Sequence, residues 1–175
     1  MSPRPAQDPA PSGHTARDRD SAGRARNARP RDALGRPLPR GAPGDERIPD
    51  DLVLAPAEAL DLAQSLLDTG RPFHAHEVLE ASWKAAPAGE RDLWQGLAQI
   101  AVGLTHARRG NARGASALLR RGGQRVSGYA GTAPYGIDAA AISLAANGLA
   151  TRIETEGLAA IEADLLTVRV APGGR

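Results

Sequence analysis

No cysteine occurs in the 175 residues, which excludes disulfides and thiolate metal ligands at the outset. Aromatic side chains make up only 3% of the chain and none precedes Phe73, so the basic N-terminal stretch lacks the stacking residues that an arm on single-stranded nucleic acid uses. Long apolar runs are missing too. No stretch of about 18 apolar residues is available to span a membrane, and none follows Met1 as a signal peptide would. The expectation is a soluble, cytoplasmic protein without a membrane partner. Lys84 is the sole lysine among 22 basic residues, a bias that genome composition explains as readily as function.

Charge and proline are unevenly placed. Residues 1–50 hold 9 of the 14 prolines and carry 10 basic against 7 acidic residues, or +3, leaving 12 against 13, or −1, for residues 51–175. With little that is large and apolar, residues 1–50 read as a disordered Pro/Arg-rich tail, since burial there cannot offset the entropy of ordering. Residues 51–128 read as a helical core domain and residues 129–175 as a helical C-terminal extension.

Punctuation sets the helices. Pro56 opens a helix over 56–69 with Leu60, Ala63 and Leu67 at helical spacing and Gly70 as its stop. Pro72 opens a second that ends before Pro87, and Glu90 begins a third whose Leu93, Leu97, Ile100 and Leu104 form a core face. Gly96 and Gly103, one heptad apart, mark close approach of a neighbouring helix. After Gly110-Asn111 a fourth helix covers about 112–126, with Leu118 and Leu119 inward and Gly122-Gly123 expected to fray or bend its end. Asp138 caps a fifth over 139–146, with a further helical piece near 150–166, and Leu165–Val170 has the composition of a short strand. Short connections favour antiparallel neighbours, hence an all-α bundle.

The second helix puts ionisable groups where core is expected. His76, Glu80 and Trp83 fall at i, i+4 and i+7 on one stripe, flanked by Phe73 and Leu79, so the histidine and carboxylate are expected to be buried together. His74 points away and is expected to be exposed; Trp83 and Trp94 are expected to be core anchors. On the third helix Gln95, Gln99 and His106 follow an adjacent line. The expected pocket holds His76, Glu80, Gln99 and His106 between the second and third helices, roofed by Trp83.

His76-x3-Glu80-x2-Trp83, followed by Gln95-Gly96-Leu97, His106 and Gly110-Asn111-x2-Gly114-Ala115, resembles the bacterial and archaeal family of the domain of unknown function 309. The resemblance covers about residues 71–121. It implies a compact helical domain with no established activity, and a signature, here His76, Glu80 and Trp83, suggested as a metal site.

Two functional readings stay open beside the structural one, in which His76 and Glu80 satisfy each other or bond to Gln99 or His106 and fix helix register. In the first, His76, Glu80 and His106 bind a divalent metal, Zn2+ or Fe2+, whose chemistry suits nitrogen and oxygen ligands. His76-Glu77 starts like the zinc-protease signature, but position 80 is Glu rather than His. No cysteine nucleophile, phosphate-binding glycine loop or serine triad points to an enzyme class. In the second, a helical hairpin serves as a binding module, somewhat like a tetratricopeptide unit but without the repeat. From Leu93 through Ile137 there is no acidic residue, while Arg108, Arg109, Arg113, Arg120, Arg121 and Arg125 give +6, a patch suited to an anionic partner such as nucleic acid or a phosphorylated ligand. Oligomerisation is left open.

Overall fold

The computed structural model describes residues 29–172, apart from 46, 47, 50, 51 and 133. Its helices are α1 (Pro56–Asp68), α2 (Pro72–Ala85), α3 (Arg91–Arg108), α4 (Ala112–Ser127) and α5 (Ala139–Glu156), joined by short 3-10 turns. The described residues contain no strand. Four of the five helices begin for a local reason. Pro56 and Pro72 occupy first turns whose N–H groups need no helical partner, and Glu58 reaches back to the Ala55 N–H at 3.1 Å. The side chains of Asn111 and Asp138 accept from Gly114 N and Ala141 N, each at 2.9 Å, capping α4 and α5. Gly110 (φ +80°) takes the left-handed conformation that turns the chain from α3 into α4.

Sequential helices pack against one another, and the register is antiparallel. Gly96 meets Val126 and Gly122, Gly103 meets Leu119 and Ala115, and Gly123 meets Ser143 and Ala146. The α3 face of Leu93, Leu97, Ile100 and Leu104 is buried to 1% exposure or less at every position, each leucine or isoleucine supplying about 1.5–3 kcal/mol by leaving water. Residues of α5, together with Val168 and Val170, join the same apolar core, so the two sides of the 128–129 boundary share it.

The glycine expectation holds at Gly96 and Gly103 and is corrected at Gly122-Gly123. The neighbour of Gly96 and Gly103 is α4, and α4 runs on through Gly122-Gly123 to Ser127 instead of fraying there. The pair is buried mid-chain in α4, Gly122 against Gly96 and Ile100 of α3, Gly123 against Ser143, Ala146 and Asn147 of α5. A Cβ at Gly122 would meet α3 at 2.6–3.0 Å, where something must shift, while one at Gly123 would meet α5 at a tight 3.2–3.4 Å. Leu118 is half-buried, outside the main apolar seam of that helix.

Two other expectations give way to tertiary packing. The fifth helix runs unbroken through Asn147-Gly148, because Leu149, Ala150 and Ile153 are buried beyond it and outweigh the roughly 1 kcal/mol that glycine costs in a helix. Leu165–Val170 is no strand; instead Gln64 Oε1, on α1, accepts from Val170 N at 2.7 Å and Ala171 N at 3.3 Å. A side chain supplies the pairing that a neighbouring strand would. Residues 1–28 of the expected tail lie outside the described residues. Residues 29–45, expected to be loose, form a hairpin against the start of α2 and the end of α3.

A candidate site in the groove between α2 and α3

The buried face of α2 is Ala75, Val78 and Leu79, and the stripe of His76, Glu80 and Trp83 runs along its shoulder. The pair is therefore half-buried rather than sunk in the core: 26% of the His76 side chain and 35% of the Glu80 side chain remain exposed. Together with Trp83 they line a groove of about 130 Å3, closed on the α3 side by Gln95, Ala98, Gln99 and Val102. Three-to-four spacing on α3 brings Gln95, Ala98, Gln99 and Val102 to one face.

Within this groove His76 Nε2 stands 3.5 Å from Glu80 Oε2, while Lys84, one turn further on, places its ammonium 3.1 Å from Glu80 Oε1. Burial lowers the His76 pKa below the ordinary 6.5; the adjacent carboxylate opposes that shift and Lys84 adds to it. At neutral pH the uncharged ring is therefore the favoured form. Neither His76 Nδ1 nor Gln99 Oε1 has a hydrogen-bond partner, though both atoms are buried. His74 Nδ1 and Arg125 Nε are buried without a hydrogen-bond partner too, but only the first two belong to residues lining this groove, and such atoms cost about 1–3 kcal/mol each.

His106 does not line that groove. Its Nδ1 accepts from Asn111 Nδ2 at 2.8 Å, and a Cβ on Gly114 would meet those atoms at 2.8 and 2.6 Å. The His106, Asn111 and Gly114 grouping is a lock on the α3–α4 turn: one face of the Asn111 amide caps α4 while the other holds the histidine. Among the described residues no group of three or more His, Asp or Glu side chains is placed to hold a metal ion, so the set His76, Glu80 and His106 is not assembled. Trp94 is the core anchor expected of it, 2% exposed, whereas Trp83 is a half-buried groove wall.

His74 reverses its expectation. It is 2% exposed, covered by the 29–45 hairpin, with Asp45 Oδ2 3.7 Å from its Nδ1 and Arg71 nearby. Desolvation lowers its pKa first and Arg71 second, against the opposing pull of Asp45, the Ala33 backbone and Asp32. For His74 and His76 alike the folded state holds fewer protons than the unfolded chain between the lowered pKa and 6.5. Their contribution to stability is complete above about pH 6.5 and is lost as pH falls through the folded values. Thermal melts between pH 7 and 5 should show that decline, and His74→Asn, which cannot take up the charge, should flatten it.

The arginine patch is largely spoken for. Arg120 pairs with Glu154 and Thr151 on α5, Arg125 with Asp92 on α3, Arg108 donates to the Ala163 carbonyl at 3.1 Å, and Arg109 to the Leu34 carbonyl. Arg113 and Arg121 are exposed and have no ion-pair partner among the described residues. Replacing Arg113 and Arg121 by Glu should leave stability within about 0.5 kcal/mol per site, whereas Arg120→Glu should lower the melting temperature slightly, by an amount that shrinks as salt is added.

Sequence reasoning missed Lys84, Asp45 and Gln64. Lys84 four residues after Glu80 was a readable signal; nothing local announces the other two, whose partners lie 26 and more than 100 residues away.

Among the described residues no helix is long and apolar enough to cross a membrane. The family model described as a domain of unknown function matches residues 60–118, from within α1 into the first half of α4. An uncharacterised protein of Bacillus subtilis (strain 168), YpuF, is 46% identical over 48 residues, which are 27% of this chain and 28% of that protein's own length. No solved structure matches. The groove, the α3–α4 turn lock and the α3–α4 glycine contact all draw on the matched segment, and over residues 60–118, about a third of its length, the chain is similar to the domain of unknown function 309.

Proposed function

We propose that the protein is a helical binding module whose ligand site is the α2–α3 groove, and that the occupant carries a planar group rich in N–H donors, such as a guanidinium. The observation that carries this reading is that two residues lining one groove beside a carboxylate and an indole, Gln99 and His76, each keep a buried polar atom without a partner, Oε1 and Nδ1. The carboxylate, the amide oxygen and an unprotonated ring nitrogen accept, and the Trp83 face suits a delocalised cation. Lys84 at Glu80 Oε1 already shows that the rim attracts positive charge. A titration with methylguanidinium followed by NMR should shift the Trp83 indole and the Gln99 side-chain amide, leave the buried Trp94 indole in place, and fail in Gln99→Leu. No movement of the Trp83 signal would overturn the proposal.

A divalent cation is the second reading. Two atoms bonded tetrahedrally to one zinc ion stand roughly 3.3–3.5 Å apart, close to the 3.5 Å between His76 Nε2 and Glu80 Oε2. Gln99 Oε1 would be a third oxygen and ligand or water the remainder. Saturable Zn2+ binding by calorimetry, lost in Glu80→Ala, would favour this version over the organic cation. For the anionic partner, Arg113 and Arg121 are the two of the six arginines bonded to neither a carboxylate nor a carbonyl among the described residues, and salt-dependent retention on a polyanion is its test.

A further inference from the structure

The hairpin over residues 30–45 is built almost wholly from its own bonds. Asp32 Oδ1 accepts from Leu34 N at 3.0 Å and Arg36 N at 2.7 Å, Gly35 N donates to Asp32 O at 2.7 Å, Leu38 N to Pro30 O at 2.7 Å, and Asp45 N to Arg31 O at 2.8 Å. Arg31 also donates to the Gly35 carbonyl at 2.6 Å. Most of its backbone bonds are internal, the exceptions being the Leu34 carbonyl, held by Arg109, and the Ala33 backbone, bonded to His74.

What fixes it to the helical body is a short set of anchors of a kind that recognises peptides. Two N–H groups of Arg109, on the turn after α3, converge on the Leu34 carbonyl, with Nε at 2.9 Å. Phe73 lies flat against Gly35, whose backbone is left-handed (φ +73°) and whose missing Cβ is what lets the ring close in. Arg31 sits over the same ring, 5.6 Å from its centre. At the other end Arg71 Nε holds Asp45 Oδ2 at 2.8 Å, above the buried His74. The anchors read a backbone carbonyl, a glycine and a carboxylate, and hardly any other side chain.

We propose that the surface formed by Phe73, Arg71, His74 and Arg109 is a docking site for a peptide that presents a tight glycine turn and, further along, one carboxylate, and that residues 30–45 are its displaceable internal occupant. A partner of that chemistry gains access by exchange with the hairpin. Such a site is separate from the α2–α3 groove and does not depend on the function proposed for it.

The test uses the full chain with the hairpin loosened. Gly35→Val forces a β-branched side chain into a left-handed position and into the Phe73 ring; Asp45→Ala, which leaves the turn intact, removes the carboxylate anchor instead. A fluorescein-labelled peptide of residues 29–45 should bind both variants at least about tenfold more tightly than the unmodified protein, where the tethered copy competes at high effective concentration. Adding Arg109→Ala to either variant should reverse that gain. Absence of saturable binding to both variants, or equal affinity for all forms, would overturn the proposal. So would loss of the helical circular dichroism signal in both variants, which would make the hairpin part of the fold itself.

Discussion

Replacing Gly122 by alanine is expected to lower stability by about 2–3 kcal/mol, or roughly 4–12 °C in melting temperature, although alanine is the better helix former. The added Cβ would meet the Gly96 carbonyl oxygen at 2.6 Å, Ile100 Cγ1 at 2.7 Å and the Ile100 N at 3.0 Å. Two of those three atoms are backbone, so no rotamer change relieves them and α3 must move away from α4. Gly148→Ala provides the contrast. It lies in the interior of α5 with nothing within 4 Å of its would-be Cβ, and the same substitution there should raise stability by about 0.5–1 kcal/mol. Opposite signs for one chemical change at two helical glycines separate packing from propensity; equal signs would mean that the α3–α4 contact is looser than described.

The second large effect is expected at Gln64, a 7%-exposed residue on α1. Its Oε1 is the acceptor for both Val170 N and Ala171 N, and its amide nitrogen donates to Asp68 Oδ1 at 2.7 Å. Gln64→Leu keeps the size of the side chain roughly but strands two buried N–H groups, at about 1–3 kcal/mol each before relaxation. A loss of about 2–4 kcal/mol in chemical denaturation is expected, with hydrogen exchange accelerated first at Val170 and Ala171. A change below about 0.5 kcal/mol, the range of an ordinary surface substitution, would show that the C-terminal segment is not held by this residue.

Helix boundaries were legible because they are punctuated locally: Pro56, Pro72, Asn111, Asp138 and the glycines at the ends act within a turn of themselves. The α3 core face was legible because Leu93, Leu97, Ile100 and Leu104 are large, apolar and regularly spaced. The face of α2 was not. Its buried residues include small ones, Ala75 and Val78, while the larger Phe73 and Trp83 sit at the edges, so periodicity weighted by size picks the shoulder. Gly122-Gly123 was misjudged for the reason that makes it informative: helix propensity is a weak prior, and burial between two helices overrides it.

His74 shows a different limit. What buries it is the 29–45 hairpin, held by Asx-type turns, one glycine and the carbonyl grip of Arg109, none of which produces an apolar pattern in the sequence. The site was readable in part. His76, Glu80, Trp83 and Gln99 do share one groove, because i, i+4 and i+7 on α2 face one side of α3, while His106 lies two turns beyond Gln99 and is taken up by Asn111.

The claim that Gln99 is kept for a ligand and not for the fold is tested most directly by the unfolding free energy of Gln99→Leu. A buried acceptor without a partner weakens the folded state, so its removal should leave stability unchanged or raise it by up to about 1–2 kcal/mol. A loss of 1 kcal/mol or more, by the same measure, would mean that Gln99 supports the packing of α2 on α3 and would contradict the account.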